Sequence, residues 1–462
     1  MSPRPVAPPR RRAPRPAVGR AGRTGAAAAL LVGGLLLPVV AAPSALAAGD
    51  AAAAVAAVLP DALADELSAR QTAQLAGALV DDAGTADAVA TPGAGVQHVE
   101  VAVTTDDGGL EVAAVAVEAP RAGAVVDLLG GLPSVEAAGV AQRLDVGDPV
   151  PVGATSVAPG RAGDPYVGEQ WALPALDADR LRASRIAVPV VAVVDSGVDA
   201  GHPDLAGSVR RGYDALTRQP GGTTDKHGHG THVAGVVAAT IGNGVGVAGL
   251  VRADVLPVRV LSSAGVGDTT RAADGVVWAT DHGADVINMS LGGPESSDVL
   301  ARAVRYAIEH GVVVIAAMGN EGAEGSPTSY PAAYPGVVAV AAVDRRRATA
   351  PFSSRGAHAD IAAPGVGILS TYKGGTYAYL DGTSMAAPYV AASAAVLAAT
   401  VPSASPAAVQ RALLETAVDL GPRGRDVATG YGLVDPTAAL LRLRDGGPPR
   451  QCLAGVRPTE VG

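Results

Sequence analysis

Five apolar runs govern what this chain can become: Pro189 to Val194, Asp254 to Leu261, Asp285 to Met289, Val312 to Ala317 and Val337 to Val343. Each is long enough for one strand and carries almost no polar alternation, as a parallel strand covered on both faces requires. Helical stretches fall between them. Thr231 to Thr240, Thr269 to His282 behind Asp268, and Asp298 to His310 behind Ser297 read as helices, and Pro406 to Ala417 follows with Ser405 as N-cap and proline in first position. The alternation predicts an α/β fold: a doubly wound, mainly parallel sheet with helices on both faces and a site off the carboxyl ends of its strands.

Composition matters mainly for what precedes this domain. Of 462 residues, 48% are hydrophobic and 17% charged, a globular balance, and with aromatics at 3% the core volume must come from Val, Ala and Leu. Residues 1–47 read as a signal peptide: seven arginines from Arg4 to Arg23, an apolar stretch from Ala26 to Val40, and Ala45-Leu46-Ala47 as a small-residue cleavage site. The apolar stretch is shorter than the roughly 20 residues that span a bilayer, so export with removal is expected, with no membrane span afterwards. Residues 48–150 hold 16 acidic and 3 basic residues, a balance of −13 within a chain of net charge −9. Their first part is low in complexity with helix around Asp61 to Leu79. From about residue 97 to 146 the pattern is that of a small α+β module: strands His98 to Thr104 and Leu110 to Val117 about an Asp107-Gly108-Gly109 turn, a helix Arg121 to Leu129, and a strand Val135 to Leu144. Residues 151–164 form a Pro/Gly-rich linker open to cleavage, residues 165–441 the main domain, and residues 442–462 a polar tail. The single cysteine, Cys452, leaves the fold without an internal disulfide, and nothing points to a nucleic-acid partner.

The ends of the apolar runs carry the chemistry. The first closes in Asp195-Ser196-Gly197-Val198-Asp199, which puts Asp195 at the carboxyl edge of a buried strand, although Asp-Ser-Gly is also plain turn material. Asp225 to Gly235 holds three histidines among glycines. Their spacing is not HExxH, no Glu stands among them and no cysteine is available, which argues against zinc. Gly382-Thr383-Ser384-Met385-Ala386-Ala387-Pro388 places Ser384 in the first turn of a helix that reads as buried on every side, where free N–H groups and the helix dipole favour negative charge. On that stretch alone Thr383 or Ser384 could be only an N-cap. Asp195, His229 and Ser384 together supply what nucleophilic catalysis by serine needs: a hydroxyl, an imidazole to take its proton and a carboxylate to hold the imidazole.

VVDSGVD at Val193 to Asp199, HGTHVAG at His229 to Gly235 and GTSMAAP at Gly382 to Pro388, in this order, resemble the three signature blocks of the subtilisin-like serine proteases. The resemblance runs from about Asp164 to Pro436 and implies a serine endopeptidase acting on polypeptides through an acyl-enzyme. It implies that Asp195 orients, His229 is general base then acid, Ser384 attacks, and Asn320 with the Ser384 N–H binds the oxyanion. By the same resemblance Ser290, Leu291 and Gly292 form one wall of the substrate pocket, Ala316 to Gly319 (with Ala317 and Gly319) the other, and Ser329 stands near its base. Glu321 at the rim would welcome a basic side chain, and Tyr330-Pro331 resembles the family's cis bond. No cofactor is implied for the chemistry, but a structural calcium at Asp204 and Asn243 is. The acidic module resembles a pro-segment that assists folding and blocks the cleft, with self-cleavage within Asp148 to Asp164 and a secreted, extracellular, monomeric product, free or held at the cell wall. Two alternatives stand beside this one: a dedicated processing protease of a secretion system, like the mycosins, and a secreted pseudoprotease acting as a binding module.

Overall fold

The computed structural model describes residues 55–76, 78–79, 95–146, 154–155, 163–183 and 187–446. The signal peptide, most of the linker and Cys452 lie outside them. The N-terminal module begins with helices α1 (Asp61–Glu66) and α2 (Ala69–Ala76). Helical stretches were expected here; Leu67 is extended between the two, and the Ser68 N–H donates to the side chain of Gln71 at 3.0 Å where the second begins. Strands β1 (Val96–Thr104), β2 (Leu110–Glu118) and β3 (Val135–Val140) form an antiparallel sheet in the order β2-β1-β3, covered by helix α3 (Ala122–Gly130). Val99, Val101, Val103, Val115 and Val117 alternate onto one face and pack with Val125 and Leu129 of α3 and with Leu63 and Leu75, so the module has a core of its own.

The strand expected from Val135 to Leu144 is broken. Ala141 still donates to His98, but Gln142 exchanges hydrogen bonds with Thr269, its N–H to the Thr269 hydroxyl and its carbonyl from the Thr269 N–H, both at 2.9 Å. There the chain leaves its own sheet, and β4 (Arg143–Asp145) runs antiparallel to the edge of the main domain.

Eight strands build the main sheet: β5 (Val190–Asp195), the short hairpin β6 (Gly212–Asp214) and β7 (Gln219–Gly221), β8 (Asp254–Arg259), β10 (Val286–Met289), β11 (Val313–Ala317), β12 (Val338–Val343) and β13 (Ile361–Pro364). Strand β9 (Val266–Asp268) stands apart as the partner of β4. Their order is β13-β12-β11-β10-β5-β8-β6-β7, parallel except for the β6-β7 hairpin. The first strand of the sheet sits in its middle and later strands are added on both sides, so the winding reverses beside β5 and opens a crevice at its carboxyl end. Helices α4 (His229–Ala238), α5 (Thr269–Asp281), α6 (Asp298–Glu309), α7 (Thr383–Thr400), α8 (Pro406–Thr416) and α9 (Pro436–Asp445) cover the two faces, and a hairpin, β14 (Ile368–Tyr372) and β15 (Thr376–Leu380), packs on α4. Asp268, Ser297 and Ser405 cap α5, α6 and α8 through their side chains, as the sequence predicts. Helix α9 runs to Asp445, past the boundary expected for a polar tail at 442. Among the described residues α7 alone is long and apolar enough to cross a membrane, and it is buried inside the protein.

Candidate active site

The carboxyl end of β5 delivers Asp195 to the crevice, wholly buried. Gly197 and Gly230 let the loop after β5 lie directly on the first turn of α4: a side chain at Gly230 would strike the Gly197 carbonyl. This contact sets His229, the first residue of α4, against Asp195, with Nδ1 at 2.9 Å from both carboxylate oxygens. Nδ1 therefore carries the proton and Nε2 is the open base. Nε2 is buried and has no partner among the described residues.

Asp225 braces this pair, and the motif reading missed it. Its Oδ1 accepts from the His227 N–H at 2.9 Å, the Gly228 N–H at 2.7 Å and the Ser196 hydroxyl at 3.0 Å, while Oδ2 takes the Thr231 N–H and hydroxyl. One carboxylate thus ties the Asp195 loop to the start of α4. The signal was an aspartate just upstream of a helix, which reads as an ordinary cap. His232 faces away from the cleft: Nε2 donates to the carbonyls of Ile368 and Ala378, and burial pushes its pKa down to about 3, so it is a neutral packing residue. Among the described residues no group of three His, Cys, Asp or Glu side chains is placed to hold a metal.

Ser384 lies in the first turn of α7, and its hydroxyl donates to the Ser290 carbonyl at 3.1 Å rather than to His229. Ser290 in turn donates from Oγ to the Ser384 carbonyl at 2.8 Å and accepts from Asn288 Nδ2 at 2.9 Å. Asn320 lies past the end of β11, its Oδ1 fixed by the N–H and the hydroxyl of Thr383, both at 2.9 Å. That fixes the amide so that Nδ2 is the free donor.

Leu291, Gly292, Ala317, Gly319 and Ser329 surround one cavity together with Asn320 and Ser384. Ser290 lies buried beneath it. Ala316 and Met318, expected in the second wall, are wholly buried instead, each packed in a different core cluster of the sheet. Glu321 stands at the rim, where its carboxylate accepts from the Ser354 hydroxyl at 3.0 Å. The Tyr330-Pro331 peptide is cis. The chain's own residues fill part of the cleft: Asp145 exchanges two backbone hydrogen bonds with Gly292, at 3.0 and 2.9 Å, and the Val146 N–H donates to the Gly265 carbonyl at 3.3 Å.

Asp204 and Asn243 meet away from the cleft. Asn243 Nδ2 donates to Asp204 Oδ1 at 2.8 Å, and Oδ2 accepts the Val247 N–H at 2.7 Å. Asp164 binds the same loop through the N–H groups of Gly242 and Gly244. Burial first, then the neighbouring charge of Asp164, raises the Asp204 pKa to about 6.

The model of the subtilase family matches residues 188–432. The chain is 43% identical over 278 residues to subtilisin of Bacillus pumilus, which covers 60% of this chain and 98% of that protein. It is 45% identical over 250 residues to subtilisin Savinase of Lederbergia lenta, 54% of this chain and 89% of that protein. Among solved structures it is similar to fervidolysin from Fervidobacterium pennivorans, a keratinolytic enzyme related to subtilisin, with a TM-score of 0.62 and 31% identity over 81% of this chain and 63% of that one.

Proposed function

The chain belongs to the subtilase family and is a serine endopeptidase, and from that premise we propose that it cuts polypeptides with Asp195, His229 and Ser384 and is exported as a zymogen that its own N-terminal module holds inactive. The observation that carries the catalytic reading is the state of His229, with Nδ1 held by Asp195 and Nε2 buried and open. For attack the Ser384 hydroxyl leaves the Ser290 carbonyl and turns to Nε2. Its proton passes to the imidazole as Oγ bonds the scissile carbonyl carbon, and Asp195 stabilises the resulting cation. The oxyanion takes the Asn320 Nδ2–H and the Ser384 N–H. His229 then returns the proton to the leaving amine, and water releases the acyl group by the same route. These side chains and the attacking water supply every proton and electron pair the reaction moves, so no cofactor enters. Labelling with a fluorophosphonate tests this assignment: one equivalent on Ser384 is expected, and labelling elsewhere or none would overturn it.

The zymogen reading rests on β4, which lies in the cleft as an added strand would. Export rests on the basic and apolar residues of the N-terminal 47 positions. We also assign a calcium ion to the Asp204 and Asn243 loop. Asp204, whose ionisation burial and the nearby Asp164 make costly, is with Asp164 a pair of hard oxygen donors suited to it, once the Asn243 amide turns its oxygen inward. Excess EDTA at pH 8 should then lower the Tm by several degrees; an unchanged Tm would remove the ion from this account.

A further inference from the structure

Two imidazoles face the cleft, and the proposed triad uses one. The ring of His227 lies 6.2 Å, centroid to centroid, from that of His229. Its backbone is fixed, the N–H on Asp225 at 2.9 Å and the carbonyl taking the Tyr372 hydroxyl at 3.1 Å. Its Nδ1 is buried without a partner. The other edge of the ring meets Gly265, where a Cβ would stand 2.9 Å from His227 Nε2 and equally 2.9 Å from Val146 Cγ2. Gly265, at φ 75°, leaves open the space in which the Val146 side chain and the His227 ring converge. Val146 is docked there in an extended segment, one residue past the pairing of Asp145 with Gly292. Any peptide bound in this register presents its corresponding side chain to His227.

We propose that His227 is a specificity-determining residue, which reads the side chain a peptide places where Val146 lies and whose Nε2 selects a carboxylate there. This deepens the endopeptidase reading and rests on it. The neutral ring suits a branched apolar side chain in that space. The protonated ring donates from both nitrogens, and its bond to a carboxylate is charge-assisted, whereas a lysine in that place meets a like charge. The groups around the ring are His229 and Lys373, which oppose its charge, and Asp195 and Asp225, which favour it; Lys226 precedes it, and Asp145 lies beside Val146 on the docked segment. Burial is the largest influence and keeps the ring's pKa below its ordinary 6.5, so the switch falls on the acid side of neutral. A peptide aspartate stays ionised there.

The test uses the matured enzyme and a quenched fluorescent peptide with the chain's own sequence from Gln142 to Val150, beside two peptides carrying Val146→Asp or Val146→Lys, with each cut located by mass. The ratio of kcat/KM for the Asp peptide to that for the Val peptide should rise about tenfold from pH 8 to pH 5, and the Lys ratio should fall. Ratios cancel the titration of His229, which all three peptides share. His227→Gln should flatten both ratios, whatever it does to absolute rates. A flat Asp ratio in the wild-type enzyme overturns the proposal without any variant, and so does an equal slope in His227→Gln. If none of the three peptides is cut, the endopeptidase reading of this cleft fails instead.

Discussion

Asp195 in the cleft and Glu100 in the seam beneath the N-terminal sheet are both wholly buried carboxylates, and their partners could hardly differ more. Asp195 faces the His229 imidazole, which becomes a cation in the mechanism proposed above. Glu100, on β1, faces three hydroxyls: Ser297 at 2.5 Å, Thr269 at 2.8 Å and Thr270 at 3.0 Å, at the starts of α5 and α6. Among the described residues no cation is paired with it, and burial raises its pKa. A buried charge with an ionisable partner is kept; one held by hydroxyls alone is held at a cost whenever it is ionised. On the zymogen proposal the cleft persists and the seam opens.

The comparison breaks most visibly at Ser384. Ser384→Ala should lower kcat about 10⁶-fold on a peptide substrate while the seam stays intact. Asn320→Ala should cost about 10²–10³ in kcat with KM little changed, since its amide meets charge only in the transition state. On the other side of the comparison stands the seam's response to pH. A folded-state pKa above the ordinary value for Glu means that assembly gains most below that value, 4.5, and loses the gain as pH rises through the raised one. Once cut from the main domain, the N-terminal module should therefore leave faster at pH 8 than at pH 5, and Glu100→Gln should flatten this dependence; an unchanged profile would show that the seam opens elsewhere. The smallest effect belongs to the rim. Glu136 of β3, its pKa lowered chiefly by the Arg302 hydrogen bond, is partly exposed, so Arg302→Ala should speed release only a few-fold, and salt should mask the change.

These two regions were not equally legible in the sequence. The triad blocks, the parallel strands and the caps of α5, α6 and α8 are local, each written in contiguous residues whose period or turn chemistry is unambiguous. Glu100 was invisible because its three partners lie 169, 170 and 197 residues away. Asp225 was visible but its bracing role was not, since the Ser196 hydroxyl it accepts lies 29 residues away, on the Asp195 loop. The break after β3 could not be read either: Val135 to Leu144 has strand composition throughout, and only the competing edge of β9 and Thr269 draws the chain off its own sheet at Gln142. Strand β13 and the hairpin β14-β15 were missed because Ile361-Ala362-Ala363-Pro364 is too short and small to stand out. Met318 looked like a pocket residue by position, but it is wholly buried in the core, in contacts that no local pattern shows.

Intact mass of the secreted product, wild type beside Ser384→Ala, tests the central claim most directly. The account predicts that the wild-type chain loses its N-terminal module while Ser384→Ala retains it in a stable complex. If both are trimmed alike, or neither is, this chain does not mature itself through Ser384, and the link drawn here between the cleft and the seam is wrong.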